Sequence, residues 1–365
     1  MGSALKVGII GVGTISEQYL DSLHRLPGLR LIAVADIDAA RARRVADEQG
    51  VQALSVDELL GDDEIDAVIN LTLPQTHVEI GMRALAAGKH VFAEKPLGLT
   101  PDEARPMLDL ATSKGLRVGS APDTVLGTGV QTARHLLDSG LIGEPVAAQV
   151  HWSAPGHEAW HPAPLFYYQS GGGPLLDMAP YYLTALITLF GPIERVAGSS
   201  TRSGRERTVA TGPLAGTPIP VDVDTHVSAL VQHTSGVTTT LTVSFEVRAT
   251  RSPLFEVYGT QGTIAVPDPN RFSDAVEVST VDDLAFRAVP VSAGYEEAGR
   301  GYGLADMARA IETGRPHRAS GELAFHVLEA MDAIVRSSAE KRVVELTSTV
   351  ARPEPVPRGA APDTW

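Results

Sequence analysis

The chain predicts an α/β fold in two parts: a Rossmann-type doubly wound parallel sheet, then an α+β domain built on an open-faced, mainly antiparallel sheet. Three observations predict it. Short apolar runs alternate with helix-forming stretches through the first 120 residues, a G-x-G-x-x-S turn follows the first run, and after Asp123 the texture changes to β-rich segments, several of period two. A length of 365 residues suits two cores, placed here at 1–122 for dinucleotide binding and 123–365 for substrate binding and oligomerisation.

Leu5–Ile10 (LKVGII) reads as the first strand, and Gly11-Val12-Gly13-Thr14-Ile15-Ser16 turns it into a helix reaching about Leu23. A second strand at 31–35 ends in Asp36-Ile37-Asp38, and 39–49 has helix-forming composition closed by Gly50. Ser55 and Glu58 form a capping box, 67–71 is a buried-type strand, and 77–87 is a helix stopped by Gly88. Residues 91–93 make the next strand. Thr100, Pro101 and Glu103 then open a further helix with hydroxyl cap, N1 proline and N3 glutamate. Strands this apolar, separated by helices, imply a parallel sheet covered on both faces.

In the second part, 146–152, 193–197, 225–232, 237–245 and 254–258 read as strands, and 176–189 as a helix kinked at Pro180. Thr238–Thr242 (TTTLT) puts threonine on both faces, so that strand need not be deeply buried. A broad exposed sheet face is then a candidate surface for a homodimer or homotetramer. Residues 202–220, rich in Gly, Pro and Thr, read as a loop, and the proline-rich tail after Pro353 as loose.

Composition narrows the function. Thirty basic against 44 acidic side chains give a net charge of −14, which repels nucleic acid and anionic membranes alike. No apolar run reaches about 18 residues and the N-terminus lacks the build of a signal peptide, which implies a cytoplasmic protein. Zero cysteines exclude disulfides, iron–sulfur clusters and thiolate chemistry. Ala-Gly-Lys-His at 87–90 lacks the Ser/Thr of a P-loop and runs from helix to strand, and no G-x-S-x-G elbow occurs.

Gly11 and Gly13 bare the backbone at a helix N-terminus, a site for a pyrophosphate, with Ser16 small enough for the helix to pack. Asp36, 23 positions past Gly13, accepts the adenine ribose hydroxyls and repels a 2'-phosphate, so NAD is favoured over NADP. Arg41, Arg43 and Arg44 fall on the solvated face of the following helix. Lys95 is one of only five lysines, set where the apolar run of H-V-F-A-E-K-P-L-G ends. That places it at the carboxyl edge of the sheet, where doubly wound proteins hold ligands; Pro96 keeps it extended, and Glu94 pairs with its ammonium or with a neighbour. The bland alternative is a salt bridge at a strand end.

Gly171-Gly172-Gly173 lead into the helix that carries Asp177 and Tyr181 at i and i+4, on one face. Tyr182 reads as packing. The preceding loop, 153–170, is dense in histidine and aromatics: Trp160, Tyr167 or Tyr168 can stack on a sugar ring while His157 or His161 bonds a hydroxyl, unless the loop simply packs on itself. His157 and His161 have metal-ligand spacing, but proline follows and no thiolate is available, so no metal is assigned.

With G-V-G-T-I-S, A-D-I-D, L-T-L-P-Q-T-H at 71–77, A-G-K-H-V-F-A-E-K-P at 87–96, G-G-G-P-L-L-D-M-A-P-Y-Y at 171–182, G-T-Q-G-T at 259–263 and S-G-E-L-A near 320, the chain resembles the Gfo/Idh/MocA oxidoreductases over nearly its whole length. The resemblance implies cofactor contacts from Gly11, Gly13, Thr14 and Ile15, from Asp36, from Thr72, Pro74 and His77, and from Glu94 and Lys95. It also implies that Lys95 meets the reacting hydroxyl beside the nicotinamide. Where the family pairs Asp with a His base, this chain has Asp177 and Tyr181. The base is then Asp177, or Tyr181 if a cation such as Lys95 favours its phenolate. The implied activity is NAD-dependent interconversion of a secondary alcohol and a ketone on a sugar, inositol or polyol. Its rivals are an eliminating glycosidase or lyase with no net redox, and a non-catalytic NAD-bound sugar sensor.

Overall fold

The computed structural model describes residues 4–361, and the chain divides into two compact units. As far as described, the first takes Met1–Thr128, Ala293–Phe325 and Pro353–Trp365; the second takes Gly129–Ser292 and His326–Arg352. These units differ from a single cut at 122/123, because the chain returns to the first unit after Ser292. Asp123 helps hold that return: its fully buried Oδ2 accepts the N–H groups of Gly301 and Gly303 at 2.8 and 3.0 Å.

In the first unit β1 (Leu5–Ile10), α1 (Ser16–Leu23), β2 (Leu29–Ala35), α2 (Ala39–Gln49), β3 (Gln52–Ala53), α3 (Val56–Gly61), β4 (Ala67–Asn70), α4 (His77–Ala86), β5 (His90–Ala93), α5 (Pro101–Lys114) and β6 (Val118–Ser120) follow in alternation. The strands pair in parallel in the order β3-β2-β1-β4-β5-β6, so the order reverses beside β1 and the ligand edge lies at the strands' carboxyl ends. The local signals read at Ser55, Thr100 and Gly50 act as read: Ser55 and Glu58 close a reciprocal capping box, Thr100 accepts from Glu103, and Gly50 ends its helix in the left-handed region. The structure adds two more, Asp38 accepting the N–H groups of Ala40 and Arg41 and Gly115 ending α5 in the left-handed region. The tail beyond Pro353 is not loose through Val356: Arg318 donates to Glu354 O and Pro355 O, Gly294 N–H donates to Val356 O, and Val356 is fully buried. Residues 362–365 lie outside the described part.

α6 (Thr128–Asp138) leads into the second unit, whose elements are β7 (Pro145–Ser153), α7 (Gly173–Phe190), β8 (Ile193–Thr201), β9 (Arg207–Thr208), β10 (Pro218–Ile219), β11 (His226–His233), β12 (Thr238–Ser244), β13 (Phe255–Gly259), β14 (Gly262–Ala265), β15 (Glu277–Thr280) and β16 (Arg287–Ala288). α8 (Tyr302–Thr313) belongs to the first unit, α9 (Gly321–Glu340) continues into the second, and β17 (Val344–Glu345) ends the order. Nine strands form one sheet, β16-β15-β14-β13-β7-β12-β11-β8-β17, antiparallel except where β12 runs parallel to β7. α7 covers its inner face, begins earlier than read and carries Pro180 within it. β12 corrects the threonine reading: it is central, and Thr239 and Leu241 on the inner face are 0% and 1% exposed. The 202–220 stretch is a loop closed by the short β9–β10 ladder.

Two buried histidines carry this unit's pH dependence. His233 and His326 are fully buried, and burial pushes both down to about 4 from the ordinary 6.5. Neutral forms suit both sites: His326 Nε2 accepts the Ile193 N–H at 2.9 Å, and His233, donating from Nδ1 to Gly191 O at 2.8 Å, has among the described residues no acceptor for a second proton on its buried Nε2. The unfolded chain therefore takes up protons first as pH falls. Their stabilisation is complete above about pH 6.5 and is lost on the way down to about 4, on the order of 3 kcal/mol for each ring. Denaturant unfolding from pH 7 to 4 should show this loss, and His326→Gln should remove roughly half of it.

Candidate active site

The glycine loop is shaped by close backbone approach. Gly11 has φ +94°, and a Cβ there would stand 2.7 Å from Leu71 O, so β1's turn and the loop after β4 come together only with glycine at that position. A Cβ built on Gly13 meets nothing within 4 Å, which leaves open space at the start of α1. Thr14 is exposed, Ile15 is half-buried, and Ser16 is buried with its hydroxyl on Gly13 O. Asp36 Oδ2 accepts the Val12 N–H at 2.8 Å and Oδ1 accepts that of Asp38 at 2.8 Å. Each oxygen keeps a lone pair, so the carboxylate still suits two ribose hydroxyls. The donor set fits NAD. Arg41 is not merely solvated: its guanidinium lies 3.6 Å from both Asp36 and Asp38.

At the end of β5, Glu94 is the hub. Its Oε1 accepts the Tyr19 hydroxyl at 2.8 Å and its Oε2 accepts the Lys95 backbone N–H at 2.9 Å. Burial, then the nearby Glu94 and Asp123 carboxylates, raise Tyr19 well above the usual phenol range, so it stays a donor. Tyr19 thus ties the helix behind the glycine loop to the corner that carries Lys95. Glu94 is 7% exposed, and each of its carboxylate oxygens accepts a hydrogen bond that holds that corner.

His77 turns inward. It is 1% exposed, with Nδ1 2.7 Å from Pro96 O and Nε2 2.9 Å from Thr72 O. Burial lowers its pKa, so the ring carries one proton and donates to one carbonyl at a time. It braces the loop of Thr72 and Pro74, both half-buried, against the loop after Lys95.

In the second unit, Asp177 and Tyr181 sit on α7, with Asp177 half-buried and Tyr181 5% exposed. His157 Nε2 lies 2.9 Å from Asp177 Oδ2. The loop that delivers this ring is anchored by a buried polar cluster. Arg207 donates to Glu158 at 2.7 Å, to Tyr168 Oη at 3.1 Å, to Phe245 O at 3.0 Å and to Glu246 at 2.6 Å; Arg205 adds a 2.6 Å bond to Glu158. Tyr168 donates to Glu158 and accepts the His157 N–H at 3.0 Å. Gly156, φ +114°, has no room for a Cβ beside Glu158 and Arg207.

Two of the proposed sugar contacts change accordingly. Tyr168 is fully buried, its phenol consumed by this cluster and raised mainly by burial, so it cannot stack on a ring. His157 is 6% exposed and already committed to Asp177. Trp160 (59% exposed), His161 and Tyr167 remain accessible, and burial lowers the His161 pKa. Tyr182 packs, its hydroxyl 3.1 Å from Asp268. Sequence reasoning missed Tyr19, Arg205 and Arg207, whose partners lie dozens of residues away. Among the described residues no His, Asp or Glu group of three or more is arranged to hold a metal ion, and no helix is long and apolar enough to cross a membrane.

Replacing Asp36 tests the ribose assignment. Asp36→Ala should raise the NAD dissociation constant roughly 10-fold or more and narrow the preference over NADP, because the carboxylate that repels a 2'-phosphate is gone and Arg41 keeps only Asp38 as counter-charge. Titration with both dinucleotides measures it, and an unchanged ratio would count against the assignment.

The comparisons agree with this geometry. Residues 5–121 match the model of the oxidoreductase family with NAD-binding Rossmann fold, and residues 130–265 match the GFO/IDH/MocA C-terminal domain. The chain is 30% identical over 264 residues to 1,5-anhydro-D-fructose reductase from Ensifer adhaerens, covering 70% of this chain and 74% of that protein. It is 26% identical over 348 residues to inositol 2-dehydrogenase from Rhizobium meliloti (strain 1021), covering 94% and 99%. The crystal structure of an NAD binding oxidoreductase from Klebsiella pneumoniae superposes with a TM-score of 0.81 at 25% identity, covering 95% and 100%. Levoglucosan dehydrogenase in its apo form shares the fold, with a TM-score of 0.82 at 23% identity over 96% of this chain and 100% of that one. With a glycine loop and ribose carboxylate fit for NAD, a lysine at the sheet's carboxyl edge and both family domains matched in order, the chain belongs to the Gfo/Idh/MocA family of NAD-dependent oxidoreductases.

Proposed function

We propose that this protein interconverts a secondary alcohol and a ketone on a sugar, inositol or related polyol, with NAD as the redox partner. The observation that carries the reading is the corner at Glu94 and Lys95, at the edge of the sheet that bears the glycine loop and tied to α1 through Tyr19. The names of the relatives support the substrate class, since those proteins are an anhydrofructose reductase and inositol dehydrogenases. When bound, NAD supplies the acceptor for the carbinol hydride.

The chain's own groups supply the rest. Asp177 takes the hydroxyl proton, with Tyr181 one turn along the same helix. Lys95 sets a positive charge against the oxygen as it becomes an alkoxide, the arrangement that contributes most when water is excluded. Trp160 and Tyr167 offer apolar faces to the C–H side of a ring, with His161 beside them for a hydroxyl. The polar outer face of the nine-stranded sheet, with Leu230 51% exposed on it, is the surface we assign to self-association as a dimer or tetramer.

Purified protein incubated with NAD and a panel of sugars, inositols and glycosides, followed by absorbance of reduced nicotinamide, tests the reading. Lys95→Met should lower turnover by at least about 100-fold while NAD affinity changes little. Undiminished turnover in that variant refutes the role given to Lys95, and glycoside cleavage without reduced nicotinamide refutes net oxidation.

A further inference from the structure

The histidine that α7 lacks has a counterpart on a different element. His157 comes from the loop after β7, 20 residues before Asp177, and its Nε2 stands 2.9 Å from Asp177 Oδ2. The ring is 6% exposed and enclosed by Tyr167, Phe245, Trp160 and Trp152, with centroids at 4.4, 4.6, 5.2 and 6.2 Å. Among the described residues its buried Nδ1 has no hydrogen-bond partner.

That surrounding selects a protonation state. A carboxylate accepts, so the ring must donate through Nε2–H. A proton on Nδ1 as well would bury a charged donor with no acceptor among aromatic rings, whereas a bare Nδ1 loses only one weak acceptor contact. A protonated Asp177 donating to Nε2 would need the same orphaned Nδ1–H. One arrangement is left: a neutral ring with its proton on Nε2, and an ionised Asp177.

From this geometry we propose that His157 is a positioning residue, a fixed neutral donor that orients the Asp177 carboxylate and favours its ionised form, making Asp177 rather than Tyr181 the proton acceptor. The proposal rests on the preceding reading that Asp177 serves the substrate hydroxyl. In the oxidation direction the substrate O–H bond breaks, its proton passes to the Asp177 carboxylate, the carbinol C–H pair leaves as hydride for NAD, and the C=O bond forms. His157 keeps its proton throughout. The other groups facing the pair are His161 and Tyr167 of the same loop, Tyr181 follows Asp177 by one turn of α7, and Glu158 with Arg205 and Arg207 holds the loop from behind. His161 is pushed down by burial and then by His157, while Asp177 pulls the other way, so a His161→Gln background removes its contribution to the profile.

The test is the pH profile of kcat/KM for oxidation of whichever panel substrate turns over. A hydrogen bond donated to a carboxylate favours its charged form, so in His157→Phe the acidic limb should move up by about one pH unit while KM for NAD stays constant. His157→Gln, whose amide nitrogen reaches the Nε2 position, should return the limb toward that of the parent. An unmoved limb in His157→Phe overturns the proposal. If Asp177→Asn keeps full turnover, the reading of Asp177 itself fails and this inference goes with it; if Asp177→Asn is inactive and the limb does not move, only this inference fails. Should His157→Phe not fold, long-range nitrogen–proton NMR of the imidazoles, with His157→Gln for assignment, decides on the parent protein. The neutral Nε2–H form between pH 6 and 8 supports the proposal, and an Nδ1–H form or an imidazolium overturns it.

Discussion

A carboxylate withdrawn from water must be met by donors, and each part of the candidate site is organised around one such group. Asp36 is met by the amides of Val12 and Asp38, Glu94 by a phenol and an amide, Glu158 by two guanidinium groups and a phenol, and Asp177 by an imidazole. Each acid takes at least one donor from another element, Val12 for Asp36, Tyr19 for Glu94, Arg205 and Arg207 for Glu158 and His157 for Asp177, so satisfying it also fixes how those elements pack. Removing either partner leaves a buried polar group exposed to its full desolvation cost, which exceeds the net worth of the bond itself. The site's precision is thus bound to the fold's stability.

Three of these acids divide the work. Asp36 and Glu94 belong to the first unit: one sits beside the glycine loop on the amides of Val12 and Asp38, and the other holds the chain at Lys95. Glu158 belongs to the second and has no place in the chemistry. Its bonds to Arg207 and Arg205, with Tyr168 between, turn an 18-residue stretch rich in aromatics into a seated loop, and the neighbouring residue is His157. A side chain distant from Asp177 thereby sets the geometry of the imidazole that meets it.

What was legible in the sequence follows from the range of each interaction. Ser55 with Glu58, Thr100 with Glu103, and Gly50 in the left-handed region are local, and residue type at fixed spacing reveals them. The parallel sheet was legible because apolar strands buried on both faces have no other use. The same reasoning failed at β12, where threonine suggested exposure while the strand's central place buried Thr239 completely. It failed again at the tail, where Arg318 and Gly294 hold a proline-rich segment that composition called loose. Partners such as Tyr19 and Glu94, 75 apart, or Arg207 and Glu158, 49 apart, leave no periodic trace.

Tyr181 shows how far a local reading can go. A tyrosine one turn after Asp177, in the slot where the family resemblance implies histidine, suggests either a weaker base or none, and hence a sensor. The fold answers with a histidine from elsewhere, arriving at the same carboxylate from a different element and in a different state. An exposed histidine beside an acid exchanges protons with water; one sealed by Trp152, Tyr167 and Phe245 has only its Nε2–H to give. Enclosure converts a residue suited to moving protons into one that holds a single proton still. On the reading proposed above, proton transfer then falls to the acid, with Tyr181 one turn further along the same helix.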